Sequence, residues 1–409
     1  MVASSPSWNK TRPSVLVPAF LLLGLLGCVQ ELDVHRVTTS LAVEVMDPPS
    51  LGSETDRLPT TLRQATFKVT ALDAQGQLDP SFSTDVDVYT QYLGTLTPER
   101  GSASTLHVTL TNGVGTGRLN LPPAFGATFL WVEDAAGSGA TFATGVSQTL
   151  WFRDPYLSDM SRPPDETSLE ALASSILEGK QVSVSKSEFG DAGRLVVTAV
   201  YPQGYTVSDV DCSQTPCVTP PYGHMYVYTF GRAKATDGTG IEVGQTLASV
   251  GGGIGEFNGF TELNFPQSVL ADATPNEALL PAPVPLDLCW LDSRTGAGGM
   301  INLEKLESAL VTIEDGTVKP LDSNYERYGQ WKLGFDRVEC PPGSEPTTAE
   351  LSVVTTGQVP GFDPACYVGK KIPRIVGTLQ AVNIGSLNVW KIHPRRAEDV
   401  TLPAGVDCN

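Results

Sequence analysis

The sequence predicts an all-β protein on three observations. Most of the chain consists of short runs in which apolar and polar residues alternate, the signature of strands with one face in a core. The 40 glycines and 31 prolines punctuate these runs at a density that favours turns over long helices. One segment alone, 168–177 (SLEALASSIL), has a helical spacing of apolar residues, with Ser168 placed to cap it.

The first strands occupy 41–45 (LAVEV), 65–69 (ATFKV), 86–89 (VDVY), 106–110 (LHVTL), 117–121 (GRLNL) and 127–132 (ATFLWV). The turn phrases DAQG at 73–76 and TNG at 111–113 separate several of them. Strands at this spacing, without a cysteine, predict two packed antiparallel sheets over 41–155. An LTP phrase at 96–98, the TNGV at 111–114, the ATFLWV strand and the DAAG turn at 134–137 follow in an order that resembles bacterial immunoglobulin-like surface domains. The resemblance implies an immunoglobulin-like β-sandwich that acts as a spacer or adhesive unit. Residues 156–178 then read as a linker with a short helix, in which SRPPDE at 161–166 marks a hinge.

Strands return over 179–409. The phrase EFNGFTEL at 256–263 carries Asn258-Gly259, a type I′ hairpin signal between two β-prone arms. Alternation there predicts Phe257 and Leu263 facing a core, with Glu256 and Glu262 facing water. The strand phrases at 193–207, 225–230, 240–250 and 255–263 are followed by LEKLESALV at 303–311 and by HPRRAEDV at 393–400. That succession is similar to the OB-fold-like domains found beside extracellular bacterial nucleases. The resemblance implies an OB-like β-barrel with inserts, of a kind whose open face binds oligonucleotides or oligosaccharides in some relatives.

Residues 20–30 (FLLLGLLGCVQ) raise the question of location. The apolar run from Ser14 to Leu26 is shorter than the roughly 20 residues that span a bilayer, and it follows Lys10 and Arg12, as in a signal peptide. Leu25-Leu26-Gly27-Cys28 resembles the bacterial lipobox. This implies a leader over 1–27, a diacylglyceryl group on the Cys28 thiol and a tether over 28–40. A lipid chain contributes about 0.8 kcal/mol per buried methylene, so more than one chain anchors a protein without a spanning helix. The expected location is the cell envelope, at the outer membrane of a Gram-negative bacterium.

The remaining cysteines, Cys212, Cys217, Cys289, Cys340, Cys366 and Cys408, form an even set suited to disulfides in an oxidising space. Cys212 and Cys217 bracket a short loop and make the one pair the spacing favours. The other pairings stay open, and a zinc site would want two close pairs.

Motifs of enzyme chemistry are incomplete. The GGGIG at 251–255 lacks the helix or Gly-Lys-Ser/Thr of phosphate loops and reads as a bend or bulge joining two strands. Ser183 and Lys186 match Ser-x-x-Lys without its companion motifs. The four histidines, His35, His107, His224 and His393, have no second histidine at ligand spacing, and no Gly-x-Ser-x-Gly elbow recruits one. Asp85 with Asp87, and Asp209 with Asp211, put carboxylates on one strand face without the EF-hand pattern. We therefore expect no catalytic residue, metal or cofactor.

The chain carries a net charge of −18, which repels phosphate backbones. Lys370, Lys371, Arg374, Lys391, Arg395 and Arg396 form a basic cluster with Trp390 and Tyr367 nearby as stacking faces. Lys391, Arg395, Arg396 and Trp390 are thus the candidate contacts for nucleic acid or another ligand, although the acidity of the module disfavours nucleic acid. The function expected is a membrane-anchored, non-enzymatic binding or scaffold protein with a protein or glycan partner in the envelope. The alternatives are a nucleic-acid-binding accessory of an extracellular nuclease system and a hydrolase with an unrecognised site.

Overall fold

The structure is a computed structural model that describes residues 38–92, 105–121, 124–134, 136–137, 142–292, 297–340, 344–384, 387–406 and 408. Its first eight strands are β1 (Ser40–Asp47), β2 (Gln64–Leu72), β3 (Asp85–Tyr92), β4 (Leu106–Thr109), β5 (Val114–Asn120), β6 (Ala127–Glu133), β7 (Thr144–Val146) and β8 (Leu150–Trp151). They form a three-stranded sheet, β1-β2-β5, and a five-stranded sheet in which β3 and β6 lie at the centre. Along β2, Ala65, Phe67, Val69 and Ala71 are buried at every second position. They meet Val86, Val88, Leu130 and Val132 of the other sheet in one core. A β-sandwich results, as the alternation predicts. Asn112 (φ 53°) and Gly113 (φ 79°) close a type I′ turn with paired Thr111–Val114 hydrogen bonds of 2.9 and 3.2 Å.

Residues 156–178 are a strap, not a free hinge. They contain two single helical turns, α1 (Leu157–Met160) and α2 (Leu169–Leu172). Leu157, Met160 and Leu177 are buried in the core of the barrel that follows, and the Ser161 hydroxyl donates to the carbonyl of His224 at 2.6 Å. Burial of these apolar side chains overrides the linker composition. Ser168 stands at the N-cap of α2, but its side chain makes no capping bond.

The stretch 179–409, expected as one barrel with inserts, contains two closed five-stranded barrels. The first uses β9 (Gln181–Val184), β10 (Gly193–Tyr201), β11 (Gly204–Asp211), β12 (His224–Tyr228), β13 (Thr246–Glu256) and β14 (Thr261–Asp272). Its order is β10-β11-β12-β14-β13, closing through Leu195–Leu247 and Val196–Thr246, with β12 and β14 parallel and β9 added outside β13. The second uses β15 (Val284–Pro285), α3 (Ala297–Glu304), β16 (Leu310–Val318), α4 (Ser323–Tyr328), β17 (Gln330–Val338), β18 (Thr347–Val354), β19 (Lys371–Ile384), β20 (Leu387–His393) and β21 (Val400–Thr401). It repeats the order as β16-β17-β18-β20-β19, with β18 parallel to β20 and β19 closing on β16. This is the OB strand order twice over. Closure pairs Leu310 with Thr378, a non-local event that a count of strand phrases cannot detect. The phrase at 303–311 also divides, its first residues ending α3 and its last opening β16.

Several turns and runs refine the expectation. Asn258 (φ 55°) and Gly259 (φ 74°) form the predicted I′ turn between β13 and β14. The glycine run 251–255 lies inside β13 instead of joining two strands, with a bulge between Gly251 and Gly253. There β9 and β14 press on β13 from both sides. A Cβ on Gly251 would stand 2.9 Å from the Val182 oxygen, and one on Gly252 would stand 2.5 Å from the Asn264 oxygen.

Three disulfides join Cys212 to Cys217, Cys289 to Cys340 and Cys366 to Cys408. The first confirms the pairing favoured by spacing. Its loop, with Leu279 and Leu280, covers the outer face of β10 and β11 at Val196 and Val210. Those strands are therefore apolar on both faces and lack clean alternation. Three disulfides in one chain are the mark of an oxidising, extracytoplasmic compartment. Among the described residues, no helix is long and apolar enough to cross a membrane.

The crowding at β13 gives a stability test. Gly252→Ala is expected to cost about 1–3 kcal/mol, because backbone must move to admit the methyl. Gly240→Ala, with open space at its Cβ, is expected to stay within about 0.5 kcal/mol of wild type. Urea denaturation of both variants measures the difference; equal midpoints would refute the packing account.

Candidate binding groove

Strand β12 reads HMYVY, and its two faces do different work. Met225 and Val227 enter the first barrel's core, so Tyr226 and Tyr228 point outward. Tyr226 packs on Phe260 at 5.3 Å between ring centroids and on Tyr201 at 6.4 Å. The Tyr201 hydroxyl lies 2.5 Å from Thr378 Oγ1 and donates to the His393 carbonyl at 3.0 Å, tying β10 to β19 and β20. The aromatic cluster thus fills the seam between the barrels.

Above that seam the barrels leave a groove of about 630 Å3. The first barrel contributes Gln203 from the β10–β11 turn, Tyr226 and Tyr228 from β12, and Phe257, Asn258 and Phe260 from the β13–β14 hairpin. The second contributes Asn324 and Tyr328 from α4, Gln330 from β17, Gln380 to Val382 from β19, and Val389 and Lys391 from β20. On both barrels these are the strand and loop positions through which OB folds take oligomeric ligands. Phe257 is 64% exposed and Tyr328 66% exposed. Phe257 therefore faces solvent at the hairpin tip instead of the core, and Glu256 is half-buried instead of facing water. Leu263 is buried as expected.

The groove lining holds one basic and one acidic side chain, Lys391 and Glu262. Burial lowers the Lys391 ammonium to about 8 and raises the Glu262 carboxyl, each toward its neutral form. Five amide side chains, Gln203, Asn258, Asn324, Gln330 and Gln380, supply most of the polar lining.

Beyond Tyr228 the aromatic surface continues. The ring of Phe230 lies 4.5 Å from Tyr228 and 5.0 Å from Phe265. Both phenylalanines adopt left-handed backbone, at φ 59° and 50°, and they are 56% and 75% exposed. Such backbone costs a non-glycine residue about 1–2 kcal/mol, and exposed rings recover little by burial. Phe265 sits where β14 bulges opposite Gly252, a place that ordinarily selects glycine.

The residues read from sequence as contacts are placed elsewhere, except Lys391. Trp390 is 7% exposed and belongs to the second barrel's core. Tyr367 is buried and stacked on Phe362, so neither ring offers a free face. Arg395 is bound by Asp399 through Nε and Nη2 at 2.9 and 2.8 Å, and its Nη1 donates to the Thr198 carbonyl at 3.2 Å. Arg396 pairs with Glu277 at 2.8 Å. Arg374 donates to Thr312 Oγ1. Arg395 is thus buried and fully engaged by a carboxylate and a carbonyl, whereas Arg396 forms its ion pair at the surface. Cys28 and His35 lie outside the described residues.

The remaining candidates also find structural partners. His107 pairs with Asp87 at 2.5 Å, and the Thr109 hydroxyl donates to Asp85 at 2.6 Å. Asp209 is buried, which pushes it up to about 6, and its Oδ2 accepts from the Glu188 amide. Ser208 Oγ lies 2.8 Å from His224 Nδ1, a contact that activates nucleophiles in open clefts. Here both residues are buried, and the pair pins β11 to β12. Among the described residues no group of three or more His, Cys, Asp or Glu is placed to hold a metal ion.

The groove aromatics had a sequence signal. In MYVY two aromatics alternate with two aliphatics, which marks a strand with two apolar faces and therefore something packed outside the barrel. Phe257 adjoins the Asn-Gly turn, where a hairpin tip projects from the core.

No family model matches the chain, and no curated protein matches it. Among solved structures it is similar to dimeric latent PorU from Porphyromonas gingivalis, at 11% identity and a TM-score of 0.20. That match covers 88% of this chain and 34% of that one.

Below the groove, three carboxyls are buried together. The Glu256 carboxyl accepts from the Thr261 hydroxyl at 2.8 Å and is pushed up to about 8 by burial, with Glu178 and Glu262 adding to the shift. Glu304 is held well above the usual carboxylate range by burial and then by Glu307 and Glu256, and Glu307 by burial and then by Glu256. Glu307 also accepts from the Thr261 amide at 3.0 Å. A carboxyl raised in the folded state gives stability that is fully present below its unfolded pKa, about 4.5, and lost as pH rises toward the folded value. His224 and His393 are lowered to about 3, chiefly by burial, so their contribution is present above about 6.5 and lost toward acid. Between pH 7 and 8 the three raised carboxyls outweigh the opposing contribution of Lys391, whose ammonium is lowered to about 8, and the Tm of the wild type should fall. Glu256→Gln should flatten that fall by up to about 1.4 kcal/mol per pH unit. Scanning calorimetry across the range tests the sign, and a rising wild-type Tm would refute it.

Proposed function

We propose that this chain is a lipid-anchored, non-enzymatic binding protein of the bacterial cell envelope, held at the outer membrane by acyl chains on Cys28. The sandwich spaces the barrels from the membrane, and the groove between them takes the ligand. The observation that carries this reading is the groove itself: two OB-type barrels turn equivalent loop faces toward each other, with exposed rings and amides on both walls. The anchor rests on the Leu-Leu-Gly-Cys phrase that ends at Cys28. The disulfides agree with an extracytoplasmic site of action.

Two experiments test the parts separately. Cells grown with radiolabelled palmitate should yield labelled wild-type protein in the membrane fraction, whereas Cys28→Ala should be unlabelled and released; a membrane-bound, unlabelled mature protein would end the anchor claim. For the groove, purified protein is titrated with envelope glycan fragments, peptides and oligonucleotides, with Kd read by calorimetry. Phe257→Ala combined with Tyr328→Ala should weaken any ligand by at least about tenfold without lowering Tm appreciably. Ligands that bind the double variant unchanged would show that the groove is not the site.

A further inference from the structure

The groove does not end at its rim. From Tyr228 the rings of Phe230 and Phe265 continue outward at centroid spacings of 4.5 and 5.0 Å, forming a shelf of exposed aromatic faces. Both shelf residues hold unfavourable left-handed backbone, and both leave more than half their surface in water. Neither core packing nor backbone preference accounts for a phenylalanine at either place. Residues kept in strained conformations without structural return are found where ligands are held.

We propose, on the groove reading above, that the ligand is an uncharged glycan chain, with its first sugars between the barrels and its later sugars stacked on Phe230 and Phe265. The chemistry of the walls selects this class. Sugar rings present apolar C–H faces to aromatic planes and vicinal hydroxyls to groups that both donate and accept. Gln203, Asn258, Asn324 and Gln380 are such groups, placed among Tyr228, Phe257 and Tyr328. The lining holds one basic and one acidic side chain, Lys391 and Glu262, so it carries no net formal charge to select an ionic ligand.

A single-stranded nucleic acid would also stack, but it needs cations along its path. Here Arg395 and Arg396 are taken by Asp399 and Glu277, and the chain carries a net charge of −18. An extended peptide commonly binds by adding a strand to an open sheet edge. The strands that line the groove have no such edge, because β12 lies between β11 and β14, and β20 between β18 and β19. Recognition must come from side chains, which suits a sugar polymer.

The shelf makes the proposal testable by length. The purified full-length chain is titrated with cello-, malto- and chito-oligosaccharides of two to eight units, and with an oligothymidylate as the charged comparison. For at least one sugar series, affinity should rise with length. Phe265→Gly and Phe230→Gly should each weaken the longest chain by about tenfold and leave the shortest unchanged. Because glycine accepts left-handed backbone, these variants should keep or raise Tm, which separates lost contact from lost folding. Four results would overturn the proposal: no binding by any sugar series, affinity independent of length, tighter binding of oligothymidylate than of any sugar, or a marked fall in Tm on Phe265→Gly. If a peptide instead fills the groove and loses affinity on Phe257→Ala with Tyr328→Ala, the groove reading stands and the glycan proposal falls.

Discussion

The docking of two barrels on one another is the constraint from which the rest of this molecule follows. Tyr201 is its centre: a single hydroxyl reaches Thr378 and the carbonyl of His393, so one strand of the first barrel is registered against two strands of the second. Arg395 adds a bond to the Thr198 carbonyl, Glu307 accepts from the Thr261 amide, and the Tyr222 amide donates to the Lys305 carbonyl. Each of these bonds joins a side chain or backbone group of one barrel to the other, in places where water is largely excluded. An unmade partner there would cost more than a made one contributes. The docking is therefore specific in orientation, and the groove's walls are held by the same contacts that hold the fold.

That constraint explains the unusual residues on the outside of the barrels. A barrel standing alone would keep polar side chains outward on every strand. Here β10, β11 and β12 carry apolar or aromatic residues on both faces, because the inner face fills a core while the outer face meets either the second barrel or the Cys212–Cys217 loop. The buried arginine at 395 follows the same logic, since its bidentate partner Asp399 comes from the very next turn of chain. A charge placed in a seam is tolerated when its counter-charge is delivered locally. The carboxyls of Glu256, Glu304 and Glu307 are the exception, crowded together and each pushed above the usual carboxylate range by burial and by its acidic neighbours.

Aromatic residues divide into two groups by what their backbone costs. Tyr201, Tyr226 and Phe260 are buried at the seam, where burial offsets their ordering. Phe230 and Phe265 are exposed on left-handed backbone and draw little from the fold. A protein that keeps such residues trades stability for a surface.

Local features were legible along the chain: strands where apolar residues alternate, type I′ turns at Asn112-Gly113 and Asn258-Gly259, and the short disulfide between Cys212 and Cys217. These depend on neighbours along the chain, so pattern and spacing express them. Tertiary structure alone decided that 179–409 would form two barrels, that Trp390 would enter a core and that Arg395 and Arg396 would be spent on Asp399 and Glu277. It also decided the groove, which brings Phe257 and Tyr328 to facing walls although no run of sequence connects them. The reason is physical: barrel closure and barrel docking join residues far apart in the chain, and a linear pattern records which face is apolar but not what will cover it.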